Sequence, residues 1–302
     1  MMTTTAPVVS AIPAETYEGS SVLVGIVTHN RAEIVPKAIR SAYSQVYPKI
    51  QISVVDDASS DETPSLSEKY RNARWLRWDS VRGYLEARNL LMRTARAEYY
   101  LSLDDDAWFM GQDEVAVAVE HLERNPHVAA VAFDILTPDR PYPVARTEAR
   151  PVSMFIGCGH LLRTSAAREA GFYEPNPGAY GSEERDLCIR LLDKNHEIHL
   201  LPGVHVWHDK TQVARDLPAQ HRSGVCNDLV FAMRRCPMPM LLVVLPLKVV
   251  NHLRFAVGMR LIRPCVSGIG LFLRSCGKVW RSRKPVRAGV FAEFLRRSRQ
   301  EF

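Results

Sequence analysis

Acidic residues gather at three places where they could do chemistry. The apolar stretch ending in Val54-Val55 runs into Asp56-Asp57, followed by Ser59, Ser60 and Asp61. Leu101-Ser102-Leu103 runs into Asp104-Asp105-Asp106. Gly181-Ser182 leads into Glu183-Glu184-Arg185-Asp186. Adjacent carboxylates repel one another unless a cation or hydrogen-bond donors compensate them. An apolar strand that ends in three of them suggests a hard divalent ion with oxygen ligands. In an extended chain Asp104 and Asp106 face the same side. A solvated loop that caps the helix starting near Asp113 is the structural alternative. For the third cluster, Ser182 as a helix cap with acids in the first turn is a sufficient structural reading. A general base at the mouth of a site is the functional one.

The elements that must position these acids alternate between strand and helix patterns. Ser21–Thr28, 50–55, 74–78, 99–103 and 128–133 read as strands. Residues 31–45, 61–70, 85–96 and a segment after Asp113 read as helices. That alternation predicts an α/β fold with a mostly parallel central sheet covered on both faces. In such sheets ligands bind beyond the carboxyl ends of the strands, which is where the acids fall. Residues 136–152 are rich in proline and charge and read as a flexible loop. A helix is expected to start near Ser182, and a strand pair spans 198–207. From about Ala214 the pattern is helical, punctuated by Pro237, Pro239, Pro246 and Pro264.

Taken together, the motifs resemble the family 2 glycosyltransferases of the GT-A fold, of the kind that build bacterial cell-surface glycans. Thr28-His29-Asn30-Arg31 resembles the family's opening. Val54-Val55-Asp56-Asp57-Ala58-Ser59-Ser60-Asp61 is similar to its nucleotide motif, with Ala58 where glycine is usual. Arg82-Gly83 through Ala87-Arg88-Asn89 resembles a helix start of the family. Asp104-Asp105-Asp106 fits its D-x-D metal motif, and Glu183-Glu184-Arg185-Asp186-Leu187-Cys188-Ile189-Arg190 resembles its E-D-x-D-L-x-x-R segment. The likeness spans roughly residues 20–210.

The resemblance implies an inverting transfer of sugar from a nucleotide-diphosphate sugar to a hydroxyl acceptor, a glycan or lipid-linked glycan. It implies Mn²⁺ or Mg²⁺ held by Asp104 and Asp106, with His208 nearby. Thr28, Asn30, Arg31, Asp56, Asp57 and Asp105 would line the nucleotide slot. Arg82 and Arg88 would reach base or phosphates. Glu184 takes the family's catalytic position, with Asp186 and Glu183 as alternatives. Gly157 and Gly159 mark the acceptor side, where glycine lets a ligand approach the backbone. Trp108 is placed to stack on a sugar ring.

His196, His199, His205 and His208 suggest zinc by their spacing. The intervening Pro202-Gly203 and the strand alternation argue against one compact site made of these four.

The chain of 302 residues carries a net charge of +6, with 46% apolar and 24% charged residues. These values fit a folded domain or two unequal ones. Residues 1–19 read as a flexible tail without the features of a secretory signal. Residues 20–213 form the expected catalytic domain, and 214–302 a basic helical region. Between Arg274 and Arg299 there are nine basic residues and one acid, Glu293. The best apolar run, 240–247, is shorter than a membrane span and contains Pro246. The expectation is a cytoplasmic protein that lies peripherally on an anionic membrane surface. Nucleic acid is not an expected partner, because the basic residues lack interleaved aromatics. The six cysteines read as reduced, mostly buried thiols.

Two other functions fit the same acids. A sugar-phosphate nucleotidyltransferase requires a glycine-rich basic loop after the first strand, which 28–32 lacks. A degenerate transferase domain serving as a membrane scaffold requires no intact acids, yet Asp104, Asp106 and Glu184 are all present.

Overall fold

The computed structural model describes residues 20–144, 147–210 and 216–301. The expected tail at 1–19 and the expected domain boundary at 213/214 lie outside the described residues. The chain divides into two compact units.

The first unit comprises residues up to 151, then 155–172 and 197–213. It is built on a nine-stranded sheet in the order β3-β2-β1-β4-β8-β6-β9-β5, with β7 paired to β9. The parallel strands β1 (Val22–Thr28), β2 (Ile50–Asp56), β3 (Arg74–Arg77) and β4 (Tyr99–Asp104) form one half. The GT-A fold expected from sequence is the fold observed. β1 is largely apolar and buried at every position but Val27, as a strand flanked on both sides should be. Helix α1 (Val35–Tyr43) buries Val35, Ala38, Ile39 and Ala42, the i, i+3, i+4, i+7 stripe of an amphipathic helix. It starts four residues later than expected, because Arg31 to Ile34 turn first, Ile34 N donating to Arg31 O. The expected helix over 61–70 is a 3₁₀ turn, Thr63–Ser65, followed by the short α2 (Leu66–Lys69). Helices α3 (Tyr84–Thr94) and α4 (Glu114–Arg124) follow β3 and β5.

The second half of the sheet is mixed. β5 (Ala107–Phe109) and β7 (Arg150–Pro151) run antiparallel to β9, and β8 (Gly159–Arg163) runs antiparallel to β4 and β6 (Val128–Leu136). The expected strand pair at 198–207 is one strand, β9 (Glu197–His208), parallel to β6. Its register jumps between Ala132/Leu200 and Asp134/His205. Residues 201–204, with Gly203 at φ +75°, loop out of the ladder and leave both flanks paired. α5 (Thr164–Ala170) completes this unit.

Register is what positions the site. Thr28 pairs with Asp56, and Val27 with Asp104, so the carboxyl ends of β2, β1 and β4 meet in one row. Gly159 pairs with Leu103, which brings the start of β8 beside Asp104. Ala107 pairs with His208, which brings the end of β9 beside Asp106.

The second unit comprises 152–154, 173–196 and the residues from 214 on. The helix α6 (Glu183–Asp193), expected as part of the catalytic domain, clusters here. Helices α7 (Leu217–Arg235), α8 (Met238–Gly258), α9 (Ile262–Arg281) and α10 (Ala288–Glu301) make up the rest. Val225, Leu229 and Val230 of α7 pack on Ala256 of α8 and on Cys265 and Phe272 of α9. At Gly268 a Cβ would lie 2.5 Å from Arg222 O, so only glycine lets α7 and α9 come this close. The apolar run at 240–247 continues into a 21-residue helix that is long and apolar enough to cross a membrane, with 11% of its apolar window buried. Lys248 and His252, which interrupt its apolar sequence, turn inward to Asp228 of α7.

Candidate active site

The nucleotide-motif acids divide their work. Asp57 accepts from Arg82 N at 2.7 Å with one oxygen and from Gly83 N at 2.8 Å with the other. It thereby fixes the turn into α3, where Gly83 holds φ +91°, a conformation that favours glycine. Asp56, 1% exposed, accepts from Ser59 N at 2.9 Å with Oδ1. Its Oδ2 makes no hydrogen bond among the described residues, and Arg77 Nε stands 3.5 Å away. A buried carboxylate oxygen in that condition is costly and calls for a donor. Asn30, at φ +51°, is held by the same loop: its N donates to Ser59 Oγ and its Oδ1 accepts from Ser60 N. Asp61 accepts from Ala32 N and Thr63 N. Burial would raise its pKa, and the hydrogen bonds from Thr63 and Ala32 outweigh that and lower it. Thr28 is buried at the end of β1.

The three consecutive aspartates fan apart. Asp104 is bound by Arg88, Asp105 by Arg31 at 2.5 Å, and Asp106 faces His208 Nε2 at 3.3 Å. Arg31 also lies 3.6 Å from Asp106. Two guanidiniums therefore already offset part of the repulsion that the sequence suggested a metal would relieve. Burial pushes the Asp105 carboxyl up to about 6, against the pull of Arg31 and with help from Asp106 and Asp104. Asp105 is thus an anchor for Arg31, buried at the base of the site.

One donor atom each from Asp104, Cys158 and His208 lies within 4.8 Å of the other two. Asp104 and His208 were expected together. Cys158, read from sequence as buried filler, joins them because β8 runs antiparallel beside β4. The Asp104 carboxylate and the His208 imidazole are donors that fit a divalent cation such as manganese, whereas the Cys158 thiol is a softer donor that suits zinc. Asp106, 1% exposed, stands behind them against His208 and Arg31.

Other expected residues take local roles. Arg88 is buried and holds Asp104, with its guanidinium 5.0 Å from the Tyr84 ring centre. Arg82 is exposed over Trp78 at 4.9 Å. Trp108 has Lys37 Nζ 3.3 Å from its ring centre and stacks on Trp207 at 6.2 Å, so its ring is engaged within the fold. Gly157 is buried in the turn before β8. A Cβ at Gly159 would meet Ile135 Cδ1 at 2.7 Å, so sheet packing explains this glycine. His160 is fully buried and stacked on Phe155, and burial and then Arg88 push its pKa down to about 3.

The third acidic cluster lies on α6 in the second unit. Ser182 sits at φ +69° and its side chain makes no cap hydrogen bond, unlike the expected N-cap. Asp186 receives Arg190 Nε at 2.9 Å and Arg235 Nε at 2.7 Å. Burial would raise its pKa, and Arg190 and then Arg235 outweigh that and lower it. Glu183 is buried, and Glu184 is half-buried in the first turn. The approach to α6 is clamped by Asn227 of α7, a residue without a sequence signal. Its Nδ2 donates to the carbonyls of Gly178, Tyr180 and Gly181 at 3.0 Å.

Acids at the carboxyl ends of parallel strands, with cation-fitting donors beside them, stand where open α/β sheets bind their ligands. Residues 23–171 match the model of glycosyl transferase family 2. The chain carries a family 2 glycosyltransferase domain. Poly-beta-1,6-N-acetyl-D-glucosamine synthase of Staphylococcus epidermidis is 26% identical over 144 residues, 47% of this chain and 34% of that protein. The Escherichia coli enzyme named UDP-Glc:alpha-D-GlcNAc-diphosphoundecaprenol beta-1,3-glucosyltransferase WfaP is 31% identical over 86 residues, 28% of this chain and 34% of that protein. The matched stretch thus spans about a third of the length of these curated relatives. Among solved structures, S. aureus TarS in complex with UDP-GlcNAc has a TM-score of 0.64 at 17% identity, covering 87% of this chain and 84% of that one. The mannosyltransferase PcManGT from Pyrobaculum calidifontis, in complex with GDP-Man and Mn²⁺, has a TM-score of 0.58 at 20% identity, covering 89% of this chain and 78% of that one.

Proposed function

We propose that this protein transfers a sugar from a nucleoside-diphosphate sugar to a hydroxyl of a glycan or lipid-linked acceptor, with inversion. The carrying observation is the convergence of donor atoms of Asp104 and His208 within 4.8 Å at the strand ends, with Asp106 3.3 Å from His208. Asp56, whose buried Oδ2 makes no hydrogen bond among the described residues and has Arg77 Nε 3.5 Å away, supports the reading, because a base or ribose donor of the nucleotide would complete its coordination. Asp57 shapes the slot by holding the turn at Arg82 and Gly83. Asp104 and His208, backed by Asp106, would hold Mn²⁺ or Mg²⁺, which when bound neutralises the charge that develops on the leaving diphosphate. Arg88 orients Asp104, and Arg31 orients Asp105 and Asp106.

Glu184 is the general base in this reading. A general base must be able to take up the proton of the acceptor hydroxyl. Asp186 is the poorer choice, because two guanidiniums hold it ionised. The relatives' names support the donor class, since UDP-GlcNAc and GDP-Man occur in the neighbouring complexes.

The membrane part of the reading rests on α8. Leu242, Leu247, Leu253 and Phe255 are exposed on it, with Arg254, Arg260 and Arg263 alongside. An apolar face flanked by bases suits an anionic bilayer interface, where a lipid-linked acceptor would be found.

The test is release of nucleoside diphosphate from UDP- and GDP-sugars with Mn²⁺ in the presence of membrane lipid extract. Lipid-dependent release that Glu184→Gln lowers by about 100-fold or more supports the reading. Equal turnover in Glu184→Gln would remove Glu184 as the base.

A further inference from the structure

His199 belongs to a cluster away from the donor site. It lies at the amino end of β9, whereas His208 closes the carboxyl end of the same strand. The H-x-x-H spacing does not supply its partners. They come from α4 and from the turn before β6. His121 Nε2 lies 3.0 Å from His199 Nδ1, with ring centres 5.1 Å apart. His127 meets the His199 ring edge-on at 6.1 Å. Glu197 Oε2 lies 2.7 Å from His199 Nε2 and 3.8 Å from His127 Nε2.

The backbone holds these groups in place. Glu197 N donates to His127 O at 3.0 Å, and Glu197 pairs with Val128 in the β6–β9 ladder. Glu197 and His199 share a strand face by the two-residue period. One donor atom each from His127, Glu197 and His199 lies within 4.8 Å of the others. Ligands of a tetrahedral zinc at ~2.0–2.1 Å stand about 3.3 Å apart, so small rotations of exposed side chains close the set. His199 is 12% exposed and fixed, while His127 and Glu197 are open to solvent.

We propose that this cluster is a second cation site, selective for zinc-class metals. His127 Nε2, His199 Nε2 and Glu197 are the ligands, and water takes the fourth position. With its Nε2 on the metal, His199 keeps its proton on Nδ1 and donates to His121 Nε2. A ligand histidine oriented through its other nitrogen is the usual support of such sites. Imidazole-rich donors suit zinc, cobalt and nickel, whereas magnesium prefers oxygen. Zinc here would tie α4 and the turn before β6 to β9. The inference does not depend on the proposed transfer activity.

The test is titration of chelator-stripped full-length protein with Zn²⁺ against a chromophoric competitor, with Mg²⁺ as control. Expected is one zinc equivalent that persists in Asp104→Asn and is lost in the double variant His127→Gln/Glu197→Gln. His121→Ala should weaken binding by about tenfold or more. Circular dichroism checks the fold, and both ligands replaced in the double variant are exposed. Zinc binding that is absent from the wild type, unchanged in the double variant, or abolished by Asp104→Asn overturns the proposal.

Discussion

At the scale of the residue, identical side chains in one motif do different work because their neighbours differ. Asp56 and Asp57 are adjacent, yet Asp57 spends both oxygens on backbone N–H groups, whereas Asp56 has one oxygen that makes no hydrogen bond among the described residues and faces the Arg77 guanidinium. On α6, Asp186 is bound by two guanidiniums, Arg190 and Arg235. Because its folded pKa lies below the ordinary 3.8, Asp186 contributes stability that is fully present above that value. That contribution is lost as pH falls through the folded pKa. Thermal melts of wild type should therefore drop below about pH 4 more steeply than those of Asp186→Asn. Equal acid slopes would contradict the assignment. Neither the split between Asp56 and Asp57 nor the Asp186–Arg235 pair is legible in sequence. The first depends on where residues 82–83 fold back, and the second on a partner 49 positions away.

At the scale of the element, the sequence is most informative where local chemistry and position coincide. Apolar strands that end in acids are visible directly, because β2 and β4 are largely buried runs that end in Asp56 and Asp104. Cys158 is not visible, because only the antiparallel pairing of β8 with β4 brings it to Asp104. The looped-out residues 201–204 carry a Pro202-Gly203 turn signal, but that β9 continues past them in the same ladder is set by its pairing with β6. The departure at Ala58 is informative in both ways. Glycine is usual there in the family, and Ala58 does adopt φ +60°. A left-handed conformation costs an L-residue about 1–2 kcal/mol. Glycine gives back roughly 0.5–1 kcal/mol through its freer unfolded chain. Ala58→Gly is therefore expected to stabilise by about 0.5 kcal/mol in urea unfolding, with the slope unchanged. Destabilisation would mean that the Ala58 methyl makes packing contacts that outweigh the strain.

At the scale of the whole molecule, the α/β domain was legible from the alternation of elements, but the grouping of α6 was not. Its acids resemble part of a transferase motif, yet its tertiary partners Arg235 and Asn227 lie on α7. The charge asymmetry was also visible, while the exposure of α8 required the fold. Each basic residue near an anionic surface is worth about 1 kcal/mol. The protein should therefore sediment with vesicles containing phosphatidylglycerol and much less with neutral phosphatidylcholine vesicles. Arg254→Glu/Arg263→Glu should weaken that binding by about tenfold or more. Equal binding to both vesicle types would remove the electrostatic part of the reading.

The central claim is that the acids at the strand ends bind a nucleoside diphosphate through a divalent cation. Calorimetric titration with UDP, dTDP and GDP, each with Mn²⁺ and with chelator, tests it most directly. The account predicts that one diphosphate binds in the presence of Mn²⁺, that chelator abolishes the binding, and that Asp104→Asn loses it while remaining folded. Binding of equal strength in chelator, or no binding of any diphosphate to the folded protein, would contradict it.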